Sequence, residues 1–227
     1  MPRAAGSRWP RIEEGQGPTT PLRKGGHADH TVSHIVEDAR HIDLVTQKGV
    51  SARRGLVSYG PPGTGKTLLA GHIAASLKRP FYIARLDSLI SSRLGETAKN
   101  IREIFDFVPA RNAVLFLDEM DAVAKIRDDR HELGELKRVV NTVLQGLDSL
   151  TDDVVTIGAT NHPHLLDPAI WRRFPYKVEL GLPDQDARTS LWQHFFYQDG
   201  DTHRDHALLL SRVLEGLNGA AIENIAL

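Results

Sequence analysis

The stretch GPPGTGKT, residues 60–67, interrupts a chain that otherwise alternates short apolar runs with helical patterns. It follows the apolar run GLVSY and precedes LLAGHIAASL, so it lies between a predicted strand and a predicted helix. It matches G-x-x-x-x-G-K-[ST] at every fixed position. Glycines leave room for consecutive backbone N–H groups to wrap a phosphate chain, and the following helix adds its positive N-terminal end. The stretch therefore predicts a phosphate-binding loop (P-loop).

The side chains that end the loop indicate which phosphate ligand it holds. Lys66 can reach the β- and γ-phosphates of a nucleoside triphosphate, and the Thr67 hydroxyl can bind Mg²⁺. A nucleoside triphosphate and Mg²⁺ are therefore the expected ligands. The predicted nucleotide-binding residues of this loop are Gly60, Pro61, Pro62, Gly63, Thr64, Gly65, Lys66, Thr67 and Leu68.

A second acidic motif, AVLFLDEMDA, supplies the groups that a P-loop needs for hydrolysis. It places Asp118 at the end of an apolar strand, where the carboxylate can hold Mg²⁺ through water. Glu119 follows immediately, and a carboxylate there can orient and deprotonate an attacking water. We therefore predict Asp118 as a metal ligand, together with Thr67, and Glu119 as the catalytic base.

The order of apolar runs predicts an α/β fold. Strands separated by helical patterns indicate a parallel sheet with helices on both faces. After GLPD (181–184) the strand patterns stop, and the remaining segments have helical spacing. The predicted strands are LVSY (56–59), FYIARL (81–86), AVLFLD (113–118), VVTIGAT (154–160) and YKVEL (176–180).

Composition limits the classes of partner. The chain has 227 residues, 41% of them hydrophobic, with a formal net charge of -1 and no cysteine. The near-neutral charge argues against nucleic acid as a ligand, and no apolar run approaches the length of a membrane span. The histidines of HADHTVSH have no spacing that fixes a metal geometry. We expect a cytoplasmic protein.

Several motifs together resemble the AAA+ ATPases, specifically the classical AAA group. GPPGTGKT, LFLDEMDA, GATN, LDPAIWRRF and GLNGAAIENI occur in the order and spacing of that group, over about residues 30–227. The chain is also similar to a bacterial set of small AAA proteins of poorly defined role. The resemblance implies a P-loop NTPase fold: a parallel five-stranded sheet flanked by helices, followed by a helical lid.

Composition and the resemblance together divide the chain into three parts. Residues 1–26, rich in Gly, Pro, Arg and Thr, are expected to be a disordered tail or linker. Residues 27–181 are the expected large nucleotide-binding domain. Residues 182–227 are the expected lid, which ends within its last helix and is therefore predicted to be truncated.

The resemblance also implies roles for further residues. Asn161, at the end of the strand VVTIGAT, would touch the γ-phosphate or the lytic water. Arg172 and Arg173 would project into the nucleotide site of a neighbouring subunit. A guanidinium group suits this role because it neutralises negative charge that is spread over several phosphoryl oxygens. Gly219 and Ala220, at the start of the last helix, would bring the lid to the nucleotide.

One position departs from the family pattern. AAA unfoldases carry an aromatic–aliphatic–glycine triplet on a loop that faces the central pore, and this chain has Arg93, Leu94 and Gly95 there. An arginine favours acidic or hydrogen-bonding partners over nonspecific apolar contact. The departure puts polypeptide threading in doubt more than ATP hydrolysis.

These observations predict an ATP-hydrolysing protein that assembles into a ring, expected to be a hexamer, and that remodels or unfolds a protein client. Two alternatives stay open. One is an ATP-switched assembly scaffold, which a very slow turnover would indicate. The other is a nucleic-acid remodeller that uses Arg93 as a phosphate contact, which salt-sensitive binding would indicate.

Overall fold

A computed structural model describes residues 13–15, 27–40, 55–89, 94–125, 133–151, 153–197 and 203–226. Within these residues six strands form one sheet in the order β1-β3-β4-β5-β2-β6, and every neighbouring pair except β1–β3 is parallel. The five predicted parallel strands are therefore confirmed. The strands are β1 (Glu13–Glu14), β2 (Gly55–Tyr59), β3 (Phe81–Arg85), β4 (Val114–Asp118), β5 (Val155–Thr160) and β6 (Tyr176–Glu179).

The short strand β1 lies within residues 1–26, the segment predicted to be a disordered tail or linker, so residues 13–15 depart from that prediction. Glu13 and Glu14 pair antiparallel with β3, and the Gly15 N–H donates to Phe81 O at 2.8 Å. A Cβ on Gly15 would lie 2.1 Å from the Phe81 ring, so glycine permits this close approach. Both glutamates are exposed, so no hydrophobic pattern marks the strand. The rest of that segment lies outside the described residues.

Helices cover the sheet and form the region that follows it. The first and second lie against one face of the sheet, and the fourth and sixth lie against the other. The helices are α1 (His27–Arg40), α2 (Lys66–Leu77), α3 (Leu86–Leu89), α4 (Leu94–Phe107), α5 (Ala122–Lys125), α6 (Leu133–Ser149), α7 (Pro168–Trp171), α8 (Gln185–Tyr197), α9 (Arg204–Val213) and α10 (Gly219–Ala226).

Strand β4 shows how the sheet divides the core. Leu115 and Leu117 pack with the helices of one face, whereas Val114 and Phe116 pack with those of the other. Successive side chains of a strand point to opposite faces, so a strand buried on both faces is apolar throughout. This arrangement leaves Asp118, the polar residue of β4, at the carboxyl end of the strand.

The helical region after the sheet has its own small core. Trp192, Ala207 and Ile222 are fully buried among α8, α9 and α10. The Arg188 guanidinium, also buried, donates to Ser211 O at 3.1 and 3.0 Å and to Pro183 O at 2.8 Å, which ties the segment after β6 to the lid helices. The predicted helical lid is thus present, and its boundary at residue 182 stays a prediction.

The lid helices also expose apolar surface. The side chains concerned are Phe196, Leu209, Val213 and Ile225. Across the described part of the chain, no helix combines the length and the apolar character needed to cross a bilayer.

Candidate nucleotide-binding site

The loop between β2 and α2 has the backbone conformation that its glycines permit. Gly60, Gly63 and Gly65 have φ angles of 140°, 73° and 92°, which other residues rarely adopt. A Cβ on Gly60 would lie 2.1 Å from Leu180 O. Gly65 is the residue before α2, and the first amides of a helix have no partner within it. The loop therefore delivers the chain into a helix whose N-terminal amides face the loop.

Lys66 turns back over the loop. Its ammonium group donates to Gly60 O and Pro61 O, both at 2.8 Å, and the residue is buried. Burial lowers the pKa of Lys66, and the nearby carboxylates of Asp118 and Asp121 oppose that shift. A desolvated cation in this position gains most from an added anion.

The other loop side chains are more exposed. The Thr64 hydroxyl donates to Pro61 O at 2.9 Å, which closes the loop on itself. Pro61, Pro62, Thr67 and Leu68 are exposed. Thr67, in the first turn of α2, is therefore accessible to a ligand.

The acidic motif stands at the carboxyl end of β4. Asp118 accepts a hydrogen bond from the Glu119 N–H at 2.9 Å. Burial raises the pKa of Asp118, and that hydrogen bond and the charges of Arg85 and Lys66 oppose the rise. Glu119 has a φ of 52°, a left-handed conformation that costs a non-glycine residue roughly 1–2 kcal/mol. Such strain is concentrated at functional sites in proteins.

Asp121 is a site residue that the sequence analysis missed. Its buried carboxylate accepts from Thr160 Oγ1 at 2.9 Å and from the Asn161 N–H at 3.3 Å. The Thr160 hydroxyl in turn accepts from the His162 N–H at 3.0 Å. Asp121 therefore joins the segment after β4 to the end of β5 and fixes the backbone on both sides of Asn161. The signal available in the sequence was that Asp121 is the third acidic residue of DEMD, residues 118–121.

Asn161 reaches the same edge of the sheet. The Oδ1 atom of its side chain is buried and, among the residues that the structure describes, has no hydrogen-bond partner. Buried polar groups in native proteins usually have one. An acceptor held in place without a donor is consistent with a group that orients a water or a substrate hydrogen.

The two arginines predicted to act on a neighbour differ in their surroundings. Arg173 donates to both carboxylate oxygens of Asp148, at 2.8 and 2.6 Å, and to Ala169 O at 2.8 Å. The hydrogen bond to Asp148 raises the pKa of Arg173. Arg172 is exposed. The preceding Trp171 packs against Tyr59, the last residue of β2, with 5.4 Å between ring centroids.

The start of the last lid helix lies on the P-loop. The Ala220 N–H donates to Gly63 O at 3.3 Å, and the Asn218 side-chain amide donates to Pro62 O at 3.1 Å. A Cβ on Gly219 would lie 3.3 Å from Gly63 O. The structure thus brings Gly219 and Ala220 to the loop, and it adds Asn218, which the sequence analysis did not select.

The predicted pore triplet is only partly described. Arg93 lies outside the described residues. Leu94 and Gly95 are the first two residues of α4, so their backbone is helical at this position.

Thr67 and Asp118 offer the oxygen donors that Mg²⁺ prefers. Lys66, next to Thr67, interacts electrostatically with Asp118, so the start of α2 and the end of β4 converge. In the described ranges, no three His, Asp or Glu side chains are grouped so as to hold a metal ion. Mg²⁺ in nucleotide sites takes one or two protein carboxylates together with phosphates and waters, so this donor set fits it.

Comparison with known proteins identifies the family. The model of the ATPase family associated with various cellular activities (AAA) matches residues 56–182, from β2 to just beyond β6. This chain belongs to the AAA family. The matched part of the AAA chain contains the P-loop, the acidic motif, Asn161 and both arginines.

Three relatives illustrate the range of the AAA proteins that this chain resembles. An uncharacterised AAA family ATPase of Sinorhizobium fredii, y4kL, is 48% identical over 150 residues, which cover 66% of this chain and 46% of the relative. The 26S protease regulatory subunit 6A of Caenorhabditis elegans is 33% identical over 85% of this chain and 47% of its own length. The ATP-dependent zinc metalloprotease FtsH 3 of Sphaerobacter thermophilus is 36% identical over 87% of this chain and 41% of its own. The AAA chain thus matches less than half of each relative.

Proposed function

We propose that this AAA chain binds ATP at the P-loop and hydrolyses it as part of a ring that remodels protein clients. The observation that carries the proposal is the convergence of charged and polar groups at the carboxyl ends of β2, β4 and β5. Lys66 lies within electrostatic reach of Asp118 and Asp121, and Asp121 holds the backbone of Asn161. Ligands of open parallel sheets bind at this edge.

Each group has a role that its position supports. Lys66 would exchange its loop carbonyl partners for the β- and γ-phosphates. Mg²⁺ held through Thr67 and Asp118 would neutralise part of the phosphate charge. Glu119 would accept a proton from the attacking water as the water oxygen bonds to the γ-phosphorus and the bond to the leaving ADP oxygen breaks. The Asn161 side-chain oxygen would accept the other water hydrogen and so orient the attack.

The arginines support a shared site between subunits. Arg172 is exposed, so its side chain is accessible to a neighbour, whereas Arg173 is fixed by Asp148. We infer that both complete the neighbour's site, with Arg172 as the group that reaches furthest. The names of the relatives, a regulatory subunit of the 26S protease and an ATP-dependent protease, favour a protein client over nucleic acid.

Two substitutions separate binding from chemistry. Lys66→Ala should abolish ATP binding, because no other side chain of the loop supplies positive charge. Glu119→Gln should bind ATP and stop hydrolysis, since an amide is not a base at neutral pH. Calorimetry measures binding and phosphate release measures turnover, with Lys137→Ala and Glu37→Gln, at exposed helical positions, as matched controls. Wild-type turnover in Glu119→Gln would show that Glu119 is not the base.

Mixing of inactive variants tests the ring. A chain with Arg172→Ala and Arg173→Ala should bind ATP and hydrolyse it poorly, because arginines supplied in trans contribute about 10³- to 10⁵-fold in related enzymes. Mixed with Glu119→Gln chains, it should regain part of the activity, since some interfaces then combine an intact base with intact arginines. A rate per subunit that is independent of concentration, without recovery on mixing, would exclude a shared site. A turnover far too slow for a motor would instead favour an ATP-switched scaffold.

A further inference from the structure

The side-chain amide of Asn218 bonds to the lid helix at one end and to the P-loop at the other. Its Oδ1 accepts from the Ala221 N–H at 2.8 Å, and its Nδ2 donates to Pro62 O at 3.1 Å. The backbone N–H can only donate and the carbonyl can only accept, so the two partners fix which way the amide faces. Asn218 therefore caps α10 and at the same time holds that helix on the loop.

The loop is shaped to receive this residue. Gly63 has a φ of 73°, and a Cβ there would lie 2.7 Å from Asn218 Cγ. A second lid amide, the Ala220 N–H, donates to Gly63 O at 3.3 Å. Two successive carbonyls of the loop are thus held by the lid: Pro62 O by Asn218, the residue before α10, and Gly63 O by Ala220, the second residue of α10.

The geometry of the peptide bond makes this contact sensitive to the loop's ligand. Pro62 O and the Gly63 N–H belong to one planar unit, and Gly63 O and the Thr64 N–H belong to the next. A phosphate that draws either N–H toward itself must turn the whole plane, and so must move the carbonyl that the lid holds. The loop's phosphate-facing donors and its lid-facing acceptors cannot move independently.

We propose that Asn218 is a positioning residue that couples phosphate binding in the P-loop to closure of the lid over the nucleotide. It acts through the Pro62–Gly63 peptide unit and does not itself touch the phosphates. The inference rests on the proposed nucleotide site. Its consequence is kinetic: a lid that is held on the loop slows nucleotide release.

Substitutions can separate the coupling from the cap. Asn218→Ser and Asn218→Asp both keep an oxygen that caps the helix, and both lose the amide donor to Pro62 O. The serine variant adds no charge, so it shows whether any effect of the aspartate variant arises from repulsion of phosphates. Asn218→Ala loses both contacts. Asn224→Ser, at an exposed position of the same helix, is the matched control.

Two measurements test the coupling. The first is the rate at which bound fluorescent ADP is released when excess unlabelled ADP is added in Mg²⁺ buffer. The second is the hydrogen exchange of the backbone amides of residues 217–226, with and without ADP. Loss of one such hydrogen bond predicts about 3- to 10-fold faster release from Asn218→Ser and Asn218→Asp, with melting temperatures close to wild type. ADP should slow exchange of the Ala220 amide in wild type and in Asn224→Ser, but not in the two coupling variants.

The outcomes distinguish this inference from the proposed function. Release at the wild-type rate from both Asn218→Ser and Asn218→Asp, with ADP still protecting Ala220, would overturn the coupling while leaving the nucleotide site intact. Faster release from the aspartate variant alone would assign the effect to charge and would also overturn it. A wild-type chain that does not bind fluorescent ADP or ATP would overturn the nucleotide site and the coupling with it.

Discussion

Thr160→Val tests whether Asp121 holds the edge of the sheet at which Asn161 lies. The substitution replaces a hydroxyl by a methyl group of nearly the same shape at a buried position. It removes the hydrogen bond from Thr160 Oγ1 to Asp121 and the one from the His162 N–H to Thr160 Oγ1. Both flank Asn161, so the substitution loosens that residue without altering it.

The expected magnitude follows from these contacts. A buried hydrogen bond to a carboxylate contributes about 1.5–3 kcal/mol. The bond from His162 contributes less, because that residue is exposed and its N–H can bond to water. Burial of the added methyl returns about 0.8 kcal/mol. We expect a net loss of about 1–2 kcal/mol, and a melting temperature lower by roughly 2–8 °C for a chain of this size.

The effect on turnover should be larger than the effect on stability. Misplacement of a catalytic group by an ångström can cost about 100-fold in rate, so we expect kcat to fall about 10- to 100-fold. The affinity for ATP should change little, because Lys66 and the loop are untouched. Phosphate release under saturating ATP and thermal melting measure the two effects.

Thr142→Val provides the matched control. Thr142 is as buried as Thr160, but its hydroxyl donates to the helix carbonyl of Arg138, on α6. We expect little change in stability or turnover there. If Thr160→Val keeps kcat within about twofold of wild type, the Asp121 contacts do not position Asn161, and the reasoning from this network is wrong.

Three further predictions concern charge and backbone conformation. Asp118→Asn should raise the melting temperature of the nucleotide-free protein at neutral pH. Burial raises the pKa of Asp118 above its ordinary 3.8, so the folded state binds more protons than the unfolded state, and the stability of the protein falls as pH rises from 3.8 through the folded pKa. The asparagine carries no charge and avoids this loss. Asp148→Asn should cost at most about 1 kcal/mol by thermal melting, because its ion pair with Arg173 is partly exposed, and 0.5 M salt should shrink the difference. Gly63→Ala should weaken ATP binding in calorimetry, since its φ of 73° and the nearby lid amide leave no room for a Cβ; unchanged affinity would contradict the proposed loop geometry.

Strands and the P-loop could be predicted because their signals are local. A strand buried on both faces must be apolar along its length, and the loop needs glycines at fixed intervals. The contacts of Asp121, Asp148 and Asn218 are not local. Asp121 meets Asn161 only because β4 and β5 are neighbours in the sheet, and Asn218 meets Pro62 only because the lid folds back. Asn161 lies 40 residues from Asp121 in the chain, and Pro62 lies 156 residues from Asn218. No sequence periodicity connects residues that far apart.

The site also collects features that disfavour the folded state when considered singly. Burial shifts the pKa of Lys66 and that of Asp118 in opposite directions, each toward the uncharged form. Glu119 is held in a left-handed conformation, and the Asn161 Oδ1 is buried with no partner in the described residues. Sequences that fold well avoid such conflicts except where function requires them. All four lie at or just beyond the carboxyl ends of the neighbouring strands β4, β5 and β2, beside the loop that the lid helix contacts. The proposed site would satisfy them together, with phosphate groups against Lys66, a cation against Asp118, and a water near Glu119 and Asn161.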